Sequence, residues 1–541
     1  MLFFFFSNLS TTISQYSAGG VTAPHQLFYN FLHDRPFQTS LFASQETGQS
    51  VGFSYNPFAY LHINAIHVYF SAFLFAPIWG LWPNLSWLYG LVIVVNYCGM
   101  ALFAWKTLNH LSPKSAAIKT AFALSMLLAS GFLFTFQQNA QLLLFSGPFL
   151  LAAYYFLLTR RKSIFLASIA LVCLVSEDAA MVALTFSAYI YFFERDAKSF
   201  ALASGIFSLT YLAIALFVLQ PAARSHLVLS EANTTMVVLK HILDFSPALL
   251  TARLIGFFPA LFFIPAFGMA YVLFGKSNIS WRQLLGLIFL APLPHWGECA
   301  IVGASHHLMP VLVFMFIALV LTLGRIPDTL AASIVSAKQK GAALLCLATI
   351  FMAGSFRTLI SNLPDQLLLP AYKLAGMAGK ANRIEQNLVE QQSNRRVLKA
   401  IEKLPKTSSL VYLTNSSIEG FIAGRSDIWA FPDYYDLADY LVIQPNAHQA
   451  FFSLDTNTHQ NIAQAIKNGK RVDAGATITR ELAQSITKLL VEETRTHRVI
   501  EDDSAVTILE RIQKNPIPNP PSTIGFGWKS NLFHAKTATL E

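Results

Sequence analysis

Charge is scarce in this chain. Asp, Glu, Lys and Arg make up 12% of 541 residues, against 54% hydrophobic ones and a mean hydropathy of +0.47. A water-soluble fold of that composition would expose large apolar surfaces, so lipid is the solvent for much of the chain. Cysteine is scarce as well. All four residues, Cys98, Cys173, Cys299 and Cys346, fall in apolar stretches and read as small buried hydrophobes, which excludes a disulfide framework for the polar C-terminal part. A Walker A loop, a dinucleotide fingerprint after a strand, a nucleophile elbow and a Cys-x-x-Cys pair are all missing. Those absences argue against nucleotide-driven transport and, less directly, against a nucleotide sugar as substrate. Acids are the rarer charge, 29 against 38 Lys plus Arg, for a formal net charge of +9. The excess does not call for nucleic acid, because many of the basic residues cluster in short segments between apolar runs, as cytoplasmic loops do.

What the chain has in abundance is apolar runs of the roughly 20 residues that a membrane helix needs, repeated over residues 85–360. The expected fold class is an α-helical polytopic membrane protein of about ten membrane helices, followed by a small soluble α/β domain. The expected boundaries are 1–363 for the transmembrane domain, with a large first outer loop at about 7–60, then 364–515 for the soluble domain and 516–541 for a loosely ordered tail. Basic loops at 106–119, 160–162, 195–198, 276–282 and 325–340 are placed in the cytoplasm. Alternation then puts the C-terminal domain on the outer side of the membrane. Residues 62–82 lie along or dip into the outer surface, since a full crossing there would break the parity. The segment at 284–292 rises and is short for a span. Met1 to Phe6 reads as the tail of a first membrane helix and lacks the basic region of a secretory signal.

One segment departs from simple spanning. Residues 164–193 have basic residues at both ends, so the chain enters and leaves on the cytoplasmic side as two half-length helices meeting at Ser176-Glu177-Asp178. Irregular backbone at membrane depth requires protein or a water-filled cavity around it, so a cavity is expected there. In the soluble part, 395–403, 459–467 and 479–490 have helical spacing. Residues 409–413 and 439–443 read as buried strands, and 498–501 with 505–509 as a hairpin.

Several stretches together resemble the membrane family called domain of unknown function 2079. They are the run Gln26 to Phe37 (QLFYNFLHDRPF), Ala76-Pro77 with Trp82-Pro83, Ser176-Glu177-Asp178-Ala179-Ala180, Ser305-His306-His307, and Leu404-Pro405 leading to Ala438-Asp439-Tyr440-Leu441-Val442. That family looks like a branch of the GT-C membrane glycosyltransferases. The resemblance implies transfer of a sugar from a polyprenyl-phosphate carrier to an acceptor outside the cytoplasm, with membrane lipid and the lipid-linked sugar as partners. In such enzymes an acid early in the first outer loop is a base or metal ligand. Here 15–26 holds Gly19, Gly20 and His25 but no Asp or Glu, and Asp34 stands where relatives usually carry glycine.

Glu177 and Asp178 are the most informative charges, because an acid at bilayer depth costs about 2.5–3.5 kcal/mol on insertion scales. They are expected to line the cavity as a base or to hold a cation near a phosphate. Capping is the alternative, with Ser176 as N-cap and the acids filling the first turn. Asp34 with Arg35 offers a base and a bidentate phosphate partner, or else a local ion pair in an Asp-Arg-Pro turn. His25, His33, His62 and His67 add groups suited to proton transfer near neutral pH. His295, Glu298, His306 and His307 flank an outer turn as candidates for a divalent cation or a diphosphate, or as interfacial histidines bonded to water and headgroups. Two other functions stay open: a transporter or flippase with Glu177 and Asp178 coupling protons, and a non-catalytic binder of a lipid-linked glycan.

Overall fold

The computed structural model describes residues 19–33, 38–39, 61–62, 70–83, 85–129, 142–219, 263–301, 308–327, 365–414, 418–425, 427–430, 438–449, 476–477 and 480–512. The expected span at 342–360, helix at 459–467 and tail at 516–541 lie outside these residues. Helix α1 (Gly19–Leu32) comes first, followed by strands β1 (Gln38–Thr39) and β2 (Leu61–His62), which pair antiparallel. Helix α2 (Ala72–Trp79) has eight residues, about 12 Å of helix. It cannot cross a hydrocarbon core of about 30 Å.

The bundle follows as α3 (Leu85–Leu111), α4 (Ala116–Ala129), α5 (Ser146–Leu158), α6 (Lys162–Val175), α7 (Glu177–Phe193) and α8 (Lys198–Ile214). It continues with α9 (Phe263–Phe274), α10 (Trp281–Leu285), α11 (Leu293–Ile301) and α12 (Leu308–Gly324). With a tight turn before it and a π-helical turn after it, α8 belongs to a continuous apolar helix, Arg195–Leu219, of membrane-crossing length. That helix turns Leu202, Ile206, Leu209 and Phe217 outward, Phe217 at 78% exposure. Water would not tolerate such a row of side chains; acyl chains do.

At the centre lies α12, apolar all round, with every residue from Leu308 to Gly324 buried. It packs against α3, α4, α5 and α9. Close approach of α3 to α5 depends on Gly99, where an added Cβ would stand 2.7 Å from the Cβ of Pro148. A proline ring on a helix cannot swing aside, so Gly99→Ala is expected to destabilise the bundle by about 1–3 kcal/mol. A lowered melting temperature of the purified protein in nanodiscs would register it. An unchanged one would mean that the helices separate freely there.

The segment that the sequence ends at Pro292 runs further. Helix α10 continues through a π-helical turn, Gly286–Leu290, and a short turn into α11, reaching Ile301. Pro292 stands just before the first turn of α11, where a missing backbone donor is tolerated, so it does not end the rise.

The C-terminal part begins with α13 (Asp365–Leu374) and α14 (Ala378–Glu402), then alternates: β3 (Leu410–Leu413), α15 (Glu419–Ile422), β4 (Ile428–Ala430), β5 (Tyr440–Ile443) and β6 (His448–Gln449). Strand β7 (Ala476–Thr477), α16 (Arg480–Lys488), β8 (His497–Asp502) and β9 (Thr507–Arg511) complete it. A mixed five-stranded sheet runs β4-β3-β5-β9-β8, with β4, β3 and β5 parallel and β9 antiparallel to both neighbours. Side chains alternate across β3. Leu410 and Tyr412 pack with Val397 and Ile401 of α14, while Val411 and Leu413 pack with Leu482 and Ile486 of α16. Both sheet faces are covered, which is why all four β3 residues are apolar and buried.

Candidate functional site

The break between α6 and α7 consists of a single extended residue, Ser176 (φ −167°, ψ 167°). Its Oγ accepts a hydrogen bond from the backbone N–H of Ala179 at 3.1 Å, the N-cap contact that ends one helix and starts the next. Glu177 and Asp178 occupy the first turn of α7, where the helix dipole favours anions. Glu177 is buried, at 5% exposure, and Asp178 half-buried. Replacing Ser176 by Ala removes the acceptor and is expected to destabilise the helix start by about 1 kcal/mol, with Asp in its place restoring most of that. Amide exchange across 177–180 reads the effect. Equal protection in the Ala variant would mean that packing alone holds the break.

Three elements gather around this break. Ser71, buried just before α2, donates from its Oγ to the carbonyl of Val175 at 3.3 Å, so the start of α2 sits on the end of α6. Helix α11 runs antiparallel to α7: Gly286 lies against Phe193 and Tyr189, and the Thr185 hydroxyl donates to the carbonyl of Ala291. From that level His295 is one turn further along, and Glu177 two turns back along α7. The two differ in height by only about 6 Å. His295 is fully buried. From α8, Tyr211 is close enough to Glu177 to feel its charge.

Helix α1 packs along α2. The His25 ring stands edge-on to Trp79, the last residue of α2, with centroids 5.3 Å apart. Since α2 is about 12 Å long, His25 is roughly one α2 length from the break and away from Glu177. At the end of α1 the exposed His33 stacks on Tyr29 at 4.0 Å, with Nδ1 donating to the Tyr29 carbonyl at 2.7 Å. The other face of α1 meets the C-terminal domain. Gln26 donates to the Arg425 carbonyl at 3.3 Å, and the His25 ring is 3.4 Å from where a Cβ on Gly424 would be. Buried Arg425 donates in turn to the carbonyls of Ile401, Leu404 and Pro405 at and beyond the end of α14. Burial pushes the guanidinium's pKa down, with Tyr29 and Tyr440 opposing.

Of the residues singled out in the sequence, Glu177 and Asp178 share the first turn of α7, His295 lies about 6 Å from their level on the neighbouring α11, and His25 packs on the far end of α2. His62 is on β2, its backbone opposite Gln38. Glu298 is on α11, one turn after His295. The side chains of His62 and Glu298, and all of Asp34, Arg35, His67, His306 and His307, lie outside the described residues. Among the described residues, no three His, Cys, Asp or Glu side chains converge as a metal ion requires. Ser71, Trp79, Tyr211, Gly424 and Arg425 escape sequence reasoning. Ser71 is a lone hydroxyl in an apolar run, and the Gly424-Arg425 pair resembles any surface turn until its partners 20 and 399 positions away are known.

No curated protein matches this chain. A family model described as "Predicted membrane protein (DUF2079)" matches residues 22–471, which takes in nearly all of α1, the helical bundle with its broken hairpin, and the C-terminal domain as far as β6. With that match covering most of its length, the chain belongs to the DUF2079 family of predicted membrane proteins.

Proposed function

We propose that this protein is a GT-C-like membrane glycosyltransferase that moves a sugar from a polyprenyl-phosphate carrier to an acceptor on the extracytoplasmic side. The observation that carries the reading is the buried Glu177 at the tip of the broken hairpin, with α2 resting on the break, α11 alongside it and α1 packed on α2. An inverting transfer needs a base to take the acceptor hydroxyl's proton as the C1–O bond to phosphate breaks. It also needs donors for the charge that collects on the departing phosphate. Glu177 is assigned the first task. His295 is assigned phosphate contact from α11, together with His25, His33, His62, His67, His306 and His307 from the outer segments. Asp178 and Asp34 are the further acid candidates, and Arg35 the bidentate phosphate partner. A divalent cation, where one is used, would neutralise the diphosphate or phosphate charge; His295 and Glu298, one turn apart on α11, are its candidate ligands.

One observation favours a second reading, a non-catalytic binder of lipid-linked glycan: α1, at the start of the first outer segment, contains no acidic residue. Release of polyprenyl phosphate from lipid-linked sugars by the purified chain in nanodiscs decides between them. Turnover that depends on Glu177, Asp178 or Asp34 supports the enzyme. Binding without turnover across a broad donor panel supports the binder. Neither binding nor turnover would turn attention to a transporter or flippase, for which a broken helix at membrane depth is also suited.

A further inference from the structure

At the carboxyl end of β5, beyond Pro445, the C-terminal domain contains an open-mouthed cavity of about 560 Å³ that is separate from the hairpin site. Its size falls within the range of small-molecule sites, roughly 300–1,000 Å³. One wall is a face of α16, with Arg480, Gln484, Thr487 and Lys488 following helical spacing. The facing wall is the turn between β8 and β9, carrying Asp502, Asp503 and Ser504. Among the described residues, no aromatic ring lines the cavity.

Arg480 and Lys488 stand on one wall, with Glu492 beyond them on the continuation of α16, and Asp502 and Asp503 stand on the other, yet none of the ion pairs among the described residues joins the two walls. Elsewhere on this domain opposite charges do close, Arg498 on Glu510 at 2.6 Å and Lys403 on Glu501 at 2.8 Å. The walls stay apart because each is fixed from behind. Leu482, Ile486 and Leu490 anchor α16 and its continuation under the sheet. In the turn, Asp502 Oδ1 accepts from the Thr507 hydroxyl at 2.7 Å, and Asp503 Oδ1 accepts the N–H groups of Ala505 and Val506. These carboxylates cannot fold across to α16 without giving up the bonds that shape the turn.

We propose that this cavity binds a zwitterion, its anionic group against Arg480 and Lys488 and its ammonium against Asp502 and Asp503. Phosphoethanolamine and a short peptide share this chemistry. The proposal does not depend on the glycosyltransferase reading, since the cavity and the hairpin site have no residue in common.

Calorimetric titration tests it, using the full chain in phosphatidylglycerol nanodiscs, which present no competing zwitterionic headgroup. The titrants are phosphoethanolamine and glycylglycine, with ethanolamine and inorganic phosphate as half-ligands. At least one zwitterion is expected to saturate the protein, about tenfold or more tighter than either half-ligand, because charge-assisted bonds form at both ends. Arg480→Gln, Lys488→Gln and Asp502→Asn are exposed positions and are each expected to weaken it about tenfold with the melting temperature unchanged. Whichever zwitterion binds more tightly identifies the source. Absence of saturable binding by both, half-ligands that bind equally well, or variants that bind like the natural chain would each overturn the proposal.

Discussion

Replacing Glu177 by Gln is expected to lower release of polyprenyl phosphate from a lipid-linked sugar by about 10²- to 10⁴-fold, the range general base catalysis supplies. Gln keeps the shape and hydrogen-bonding reach of the side chain but cannot take a proton. The protein itself should tolerate the change. Glu177 is buried at 5% exposure, so neutralising it relieves the cost of desolvating a charge, and the N-cap contact belongs to Ser176. Loss of turnover with an equal or higher melting temperature is therefore the signature of a chemical role. A capping role alone predicts the reverse, full turnover with a slightly less stable helix start. Asp178→Asn is the internal control. Asp178 is half-buried and turned about 100° round the helix from Glu177, so its loss should affect turnover less. A Glu177→Gln variant that turns over at the natural rate removes the assignment.

The hairpin was legible because its signals are local. Basic residues at 160–162 and 195–198 mark its two ends, which meet through Arg160 and Asp196 at 3.6 Å, and Ser176-Glu177-Asp178 combines a capping residue with two acids that an uninterrupted apolar helix would not carry. Strands β3 and β5 were legible for a similar reason, each a short run of β-branched and aromatic residues bounded by polar ones. What sequence reasoning missed depends on distant partners or weak patterns. Strand β4 is three residues long, and its place is set by pairing with Leu410 to Tyr412. Helix α14 begins at Ala378, well before the expected 395, because its first turns are rich in Gln, Asn and charge and have no apolar period to announce them. The contacts of α1 with Trp79 and Gly424 join parts of the chain 54 and 399 residues apart, and nothing near His25 signals either.

That last pair of contacts leads to the second large effect. Arg425→Met should destabilise the C-terminal domain by about 3 kcal/mol, because the carbonyls of Ile401, Leu404 and Pro405 lose charged donors in a buried setting. Lys should recover only part of the loss, since one ammonium cannot reproduce the fork of a guanidinium. The separate unfolding transition of this domain is the measurement, and a Met variant as stable as the natural chain would mean that water serves those carbonyls equally well. Gly424→Leu acts on the same junction from the other side. Its Cβ would already touch the His25 ring at 3.4 Å, and the larger side chain is expected to press on that ring, so α1 should lift away while Arg425 still holds its own domain together. Faster amide exchange over Gly19–Leu32 with an unchanged domain transition is the expected result. If turnover falls along with α1 protection, the C-terminal domain supports the site by holding α1 in place. Unaltered exchange in α1 would show that Trp79 alone fixes the helix and that the domain merely rests against it.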